Sequence, residues 1–240
     1  MVKTCHVKKL HYNDLAEFLS SFENTPKIES LDFWYSRFSL WWDNNPAFDK
    51  NFVRGEILIV KGKIEGFQGF IPSFFQLSRK KLTVYNSTTW RVSPKYRGVD
   101  SLRLLRNQLK ISENSIYFST SPLPQLVNMN KRLGLEPIFK REKLKTYYIF
   151  TNLRNILNKK LSHNNLLKIL VKIFYPLIAI YEVLISFSIK LTPQSYYIKL
   201  VERADHTFDQ LWEETRERFE NTNIRTSDII NWYCSNDGMG

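Results

Sequence analysis

At 240 residues with 43% hydrophobic and 15% aromatic side chains, the chain can bury a core of its own, which excludes a disordered polypeptide and fits one large domain or one and a half. The net charge of +12 is regional, because eleven Lys/Arg between residues 131 and 172 stand against only Glu136 and Glu142. Such a block suits an anionic membrane surface or a merely solvated face, while nucleic acid has charge alone in its favour and no recognition motif. Cys5 and Cys234 lie at opposite ends and His6, His11, His163 and His206 are scattered, so the spacing offers no zinc site and a reduced, cytoplasm-like compartment is expected. The opening MVKTCHVKKLHYNDL has no apolar run of signal-peptide length, so nothing in it argues for export.

Residues 7–12 read as a strand, and NDLAEFLSSF then sets Leu15, Phe18, Leu19 and Phe22 at helical spacing, with Asp14 and Glu17 in capping-box register. DFWYSRFSLWW predicts a second helix with Phe33, Trp34, Arg37, Phe38 and Trp41 along one side, an aromatic stripe of the kind that fills a core. It stops at DNNP, because Pro46 cannot continue it. Three strands follow at 56–62, 63–77 and 81–92, and the short turns between them imply an antiparallel meander. SPKYRGVDSLRLL opens the next helix, with Leu102, Leu105 and Leu109 as its apolar stripe. SIYFST is a strand, and Pro122 suits the first turn of a helix that carries Leu126, Met129 and Leu133 and ends at Gly134. Residues 135–152 read as a closing hairpin.

This order, strand, two helices, three strands, helix, strand, helix, strand pair, resembles the GNAT family, the acyl-CoA-dependent N-acyltransferases, over about residues 4–150. TVYNSTTWRVSPKYRGVDSLRLLRNQL resembles that family's central strand, phosphate loop and helix, and NMNKRLGLEP its last helix and terminal turn. The resemblance implies an α+β fold with a GNAT-like mixed, mostly antiparallel central sheet flanked by helices, followed by a C-terminal helical region. It also implies acetyl-CoA or another acyl-CoA as co-substrate, and an amine of a small molecule or glycan as acceptor, entering over the aromatic second helix. The backbone of Arg91 and Val92 would align the pantetheine. Lys95, Arg97, Gly98, Val99 and Ser101 would hold the pyrophosphate, since amides at a helix N-terminus and the helix dipole favour an anion.

The family's loop has Gln or Arg, two residues, glycine, one residue, then glycine or alanine. Aligned here, Arg97 is kept, while Asp100 and Leu102 stand at the two small positions. Asp100 would repel a phosphate by roughly 3 to 4 kcal/mol at an effective dielectric of about 20 unless Lys95, Arg97 and Arg103 offset it, and it is also suited to cap the helix. The strand at 81–92 has no acidic residue to act as base, and Asn130 stands where the family commonly has its acidic tyrosine. Tyr117 is the candidate acid, against the plainer reading of a strand aromatic packed on a helix. With the cofactor chemistry lost, the same fold would be a scaffold or a membrane-surface binding module.

IFYPLIAIYEVLISFSI, residues 173–189, would span roughly 26 Å as a helix, short of a hydrocarbon core of about 30 Å, and Glu182 falls at its middle. A bilayer span, a helix packed between lobes and an interfacial helix are all open; after the basic block, a peripheral position at the inner membrane face of a cytoplasmic protein is expected. YYIKLVERADHTFDQLWEETRERF then repeats the opening plan, with a strand at 196–201 and a helix capped by Thr207 and Gln210, and RTSDIINWYCSNDG supplies another aromatic helix. The pair resembles the start of a second repeat, as in tandem acyltransferases of bacterial envelope and polysaccharide metabolism. The expected division is 1–150 as a GNAT-like domain, 151–194 as a basic and hydrophobic helical connector, and 195–240 as an incomplete repeat. Either Phe208, Leu211, Trp212, Phe219, Ile229, Ile230 and Trp232 then lack covering strands, or these helices pack on the first domain.

Overall fold

The run KIEGFQGFIPSFFQL forms the spine of the sheet. In the computed structural model it is strand β3 (Lys63–Leu77), paired antiparallel with β2 (Gly55–Val60) on one edge and with β4 (Lys80–Val92) on the other. The structure describes residues 2–22, 29–119, 124–136, 174–191, 199 and 201–235. Both hairpins close through two residues of positive φ, Lys61 with Gly62 and Ser78 with Arg79, a backbone twist that matches the twist of antiparallel strands. β1 (Val2–His6) pairs antiparallel with β2, and the short β5 (Tyr117–Phe118) lies parallel to β4, so the order is β1-β2-β3-β4-β5. The result is the mixed, mostly antiparallel sheet flanked by helices that the sequence order implied.

Strand alternation gives the sheet two different faces. On one, α1 (Tyr12–Ser20) and α2 (Leu31–Phe38), which runs on as a π-helical turn (Ser39–Asp43), pack Trp34, Phe38, Trp41 and Trp42 against Leu15, Leu19, Ile57 and Phe67. Phe38 stacks on Trp42 at 5.3 Å, and the Trp42 indole donates to the Phe70 carbonyl at 2.7 Å, so the aromatic stripe is core, although Trp34 Nε1 is buried there without a partner among the described residues. On the other face, α3 (Val99–Ile111) seats Leu104 against Leu58 and Val92. Gly66 permits this close approach, since a Cβ there would lie 3.1 Å from Leu58 Cβ and 3.2 Å from Val92 Cγ2.

Several local expectations are corrected. The first strand is residues 2–6, with 9–11 a 3-10 turn, because pairing with β2 ends at His6. Asp14 lies inside the first turn of α1, whose N-cap is His11, and makes no capping box. The buried stripe of α3 is Leu104, Leu105 and Gln108 with Leu102 exposed, because the sheet beneath offers the Gln68 carbonyl, to which Gln108 Nε2 donates at 2.7 Å.

Residues 1–127 with 201–240 form one compact unit and residues 128–200 a second. In the first, α6 (His206–Thr215) is capped by Asp205 rather than by Thr207, and β6 (Asn221–Asn223) pairs antiparallel with Phe75–Leu77 of β3, past the end of β2. Gln76 Nε2 donates to the carbonyls of Arg216 and Phe219, and from α7 (Ser227–Tyr233) the Trp232 indole donates to the Leu40 carbonyl at 2.7 Å. Trp212, Ile224 and Ile229 are buried, while Leu211 and Phe219 stay exposed. Part of the apolar face expected to lack cover is therefore buried within this unit, where β6 takes an edge of β3 that β2 is too short to fill.

The helix α4 (Pro124–Arg132) ends, within the second unit, in a Schellman turn: Gly134, at φ 82°, donates to the Lys131 carbonyl and Leu135 to that of Asn130. The second unit also contains α5 (Tyr175–Leu191). Pro122, residues 137–152 of the expected hairpin, most of the basic block and most of the strand at 196–201 lie outside the described residues.

The layer under α3 is polar. Glu56, Gln68 and Gln108 are each at most 4% exposed; Asn107 Nδ2 donates to Glu56 Oε1 at 3.2 Å, while Glu56 Oε2, Gln68 Oε1 and Gln108 Oε1 have no hydrogen-bond partner among the described residues. Burial pushes the Glu56 carboxyl above its ordinary value, with Asn107 partly offsetting it. The folded chain thus keeps a proton that the unfolded chain has released, so stability falls as pH rises from the ordinary glutamate value through the raised one. Glu56→Gln should remove this dependence, and at neutral pH should be at least as stable as the parent, because its amide brings a donor to a site crowded with acceptors. Denaturant midpoints measured across that pH range check both.

Candidate functional site

Among the described residues, β4 holds a β-branched side chain at positive φ. Gln68 pairs with Trp90 and Gly69 with Thr88, so Thr89 is an unpaired bulge residue, held at φ 45°. For a β-branched side chain that conformation is strained, and strain of this kind gathers at functional sites. The bulge also resets which side chains face which way. Because paired residues share a face, Ser87 and Tyr85 join Trp90 and Val92 on the α3 side, whereas an unbroken strand would have put Thr88 there. Trp90 Nε1 is buried on this side without a partner among the described residues.

β4 and β5 pair only through Tyr85 with Tyr117 and Asn86 with Phe118. Beyond Asn86 the ladder to β5 stops, while β4 runs on through the bulge to Val92. A second bulge, at Glu65 in β3, fixes the start of the loop after β4. Its carbonyl accepts from the Ser93 amide at 2.8 Å and its carboxylate from the Ser93 hydroxyl at 2.6 Å, which clamps that loop to the end of the strand. The chain then makes a 3-10 turn (Pro94–Tyr96), and Arg97 Nε donates back to the Val92 carbonyl at 3.2 Å.

Gly98 is the N-cap of α3, at φ 97° and ψ −119°, and a Cβ there would meet nothing within 4 Å. A left-handed residue with open space in front of it starts a thirteen-residue helix whose first turn has no side-chain cap. Asp100 was expected as a cap; it lies two positions past the N-cap and instead pairs with Arg103 at 3.4 Å. The amides of the first turn are therefore not taken by its carboxylate, and part of its charge is neutralised on its own helix.

The remaining candidates divide. Lys95, Arg97, Gly98 and Val99 are exposed on the loop and Ser101 is half-buried beside them. Val92 is buried under α3. The Arg91 side chain points to the opposite face, where it bonds Glu29 at 2.7 Å and the Leu19 carbonyl at 3.1 Å, so only its backbone lies toward the gap. Tyr117 is half-buried with its ring edge-on to Phe70 at 6.1 Å; burial pushes its phenol up, with the Ser87 side chain partly offsetting that shift. Ser87 and Thr89 carry no motif, and their only trace in the sequence is NSTT, a polar interruption in an otherwise apolar strand.

If Thr89 is strained as its φ indicates, Thr89→Gly should stabilise the fold by about 0.5–1 kcal/mol, the reverse of glycine's ordinary effect inside a strand. The denaturant midpoint at constant m-value measures this.

No protein-family model matches the sequence, and no curated protein matches it. Among solved structures, a Trypanosoma brucei acetyltransferase is similar at 14% identity and TM-score 0.42, over 61% of this chain and 100% of its own. AAC(6')-Iy, solved in complex with the bisubstrate analogue CoA-S-monomethyl-acetylneamine, is similar at 13% identity and TM-score 0.43, over 62% and 98%. An integron cassette protein of V. cholerae is similar at 19% identity and TM-score 0.42, over 65% and 96%. Acetyltransferases are thus among the solved structures to which this chain is similar.

Proposed function

We propose that the chain is an acyl-CoA-dependent N-acyltransferase. The observation that carries this reading is the edge of β4 beyond Asn86, unpaired on that side among the described residues, leading through a clamped loop straight into the uncapped N-terminus of α3. The residues fit the co-substrate, because Gly98 opens space where a phosphate would sit and the basic side chains of Lys95 and Arg97 flank it. Acyl-CoA supplies a thioester whose thiolate leaves when an amine attacks. The backbone of Arg91 and Val92 aligns the pantetheine, and Lys95, Arg97 and the first-turn amides of Gly98, Val99 and Ser101 hold the pyrophosphate. Tyr117 gives its proton to the departing sulfur. The acceptor is an amine of a small molecule or a glycan; the envelope or polysaccharide setting rests on the tandem-repeat resemblance of the carboxyl-terminal segment.

Calorimetric titration of acetyl-CoA into the full chain tests this, with micromolar binding expected. Asp100→Gly should tighten binding about tenfold, since Arg103 leaves only part of the repulsion in place. If neither protein binds, the scaffold reading replaces the enzyme.

A second attribute, attachment to an anionic membrane surface, is favoured by α5. Leu177, Ile180, Val183 and Leu184 are each more than half exposed, with Ile178 buried. Among the described residues no helix is long and apolar enough to cross a membrane. An exposed apolar helix following a basic block suits the lipid interface. The chain should float with phosphatidylserine vesicles at low salt, lose this at high salt, and lose it in Ile180→Asp. Flotation that survives Ile180→Asp would remove α5 from the account.

A further inference from the structure

We propose that Tyr85, backed by Phe52 and Phe70, sets the length of acyl group that this site accepts and excludes chains of more than a few carbons. The proposal rests on the transferase reading above and names the acyl class that reading leaves open. It starts from the place where β4 and β5 join. From Ser87 to Val92, roughly 20 Å of strand, β4 has no β5 partner among the described residues. A pantetheine arm aligned along that edge from the start of α3 carries its thioester end toward Asn86, where the two strands meet.

Both faces of the sheet are filled at that point. On the α3 side Tyr85 pairs with Tyr117, and both are half-buried. Behind them, Phe52 lies nearly parallel to Tyr85 at 4.4 Å, and Phe70 meets Tyr85 edge-on at 4.8 Å and Tyr117 at 6.1 Å; Phe52 and Phe70 are buried. On the opposite side Asn86 pairs with Phe118, whose ring packs on Phe75 at 5.4 Å, while Asn86 Nδ2 donates to the Ile71 carbonyl at 2.9 Å and to Ser73 Oγ at 2.8 Å. An acyl chain passes this floor only by displacing a ring, and close-packed side chains resist that. Tyr85 is the common member, since its ring touches Phe52 and Phe70 and its backbone pairs with Tyr117. The sign of the effect separates a floor from a tunnel. In an open apolar channel each further methylene buried strengthens binding about fourfold, so a long chain binds more tightly than a short one. Against a floor the order is reversed. Removing the Tyr85 ring leaves an apolar hole beside Phe52 and Phe70, and holes of that kind take up apolar ligands.

The test is calorimetric titration of the full chain with CoA, acetyl-CoA and octanoyl-CoA. In the parent, acetyl-CoA should bind about tenfold more tightly than octanoyl-CoA, or more. Tyr85→Ala should reverse the order, strengthening octanoyl-CoA by about tenfold or more while acetyl-CoA stays within about threefold of the parent. Tyr85→Val, which keeps a strand-forming side chain, makes the same comparison should the alanine variant fail to fold, and the comparison in the parent needs no variant. Octanoyl-CoA binding the parent as tightly as acetyl-CoA overturns the proposal and leaves the transferase reading standing, as does an unchanged order of affinities in a folded Tyr85 variant. A parent that binds neither thioester nor CoA overturns the transferase reading, and the acyl limit with it.

Discussion

The extra residue at Thr89 is the constraint on which the candidate site depends. A regular β4 would alternate without interruption from Lys80 to Val92 and would send Thr88, not Ser87, toward α3. With one residue unpaired, the strand changes the parity of its side chains three residues before its end. Below the bulge, Tyr85 and Ser87 face Tyr117; above it, Trp90 and Val92 face α3 and Tyr96. The same irregularity bends the strand, and pairing with β5 is confined to two residues before it. The cost is a β-branched residue in the left-handed region, sustained by the twelve paired positions of β3 and β4 on either side.

The second bulge, at Glu65, does for the loop what Thr89 does for the strand. Its carbonyl and carboxylate both hold Ser93, so the loop leaves β4 at a fixed point, and Arg97 returns to Val92 to close the turn. α3 is then seated close to the sheet by Gly66 and held by Gln108 and Asn107. Its N-terminus is consequently placed by the sheet and not by a cap. This seating leaves a buried carboxyl and two amide oxygens with incomplete hydrogen bonding, a layer whose stability varies with pH.

Beyond the site, the spine strand explains the carboxyl-terminal segment. β3 is fifteen residues long and β2 only six, which leaves its far half with an open edge. β6 occupies part of that edge, Gln76 fastens the turn that precedes it, and Trp232 anchors α7 on the π-helical turn of the aromatic helix. Two carbonyls of that π-helical turn are taken up by side chains, Leu40 by the Trp232 indole and Trp41 by Asn45 Nδ2.

Much of this architecture was legible in the chain itself. The strand runs at 56–62, 63–77 and 81–92 lie within two residues of β2, β3 and β4, because alternation and short polar turns are local properties. The aromatic helix before them was read as core for the same reason. Gly134 as a helix stop was legible too, since only a left-handed residue completes that turn. What could not be read was decided by pairing partners. Whether Leu102 or Leu104 faces the sheet depends on the Gln68 carbonyl beneath α3, and whether Asp100 caps depends on where Gly98 starts the helix. The fate of Trp212 and Ile229 depends on an edge of β3 more than a hundred residues earlier. Ser87 and Thr89 are the clearest case: in sequence they are two hydroxyl residues in a strand, and only the register of β4 against β3 makes one a strained bulge and turns the other toward Tyr117. The sequence by itself determined the elements and their order, because propensity and periodicity are carried by neighbours along the chain; tertiary structure decided the site, because facing and hydrogen bonding are set by residues that meet only in the folded sheet.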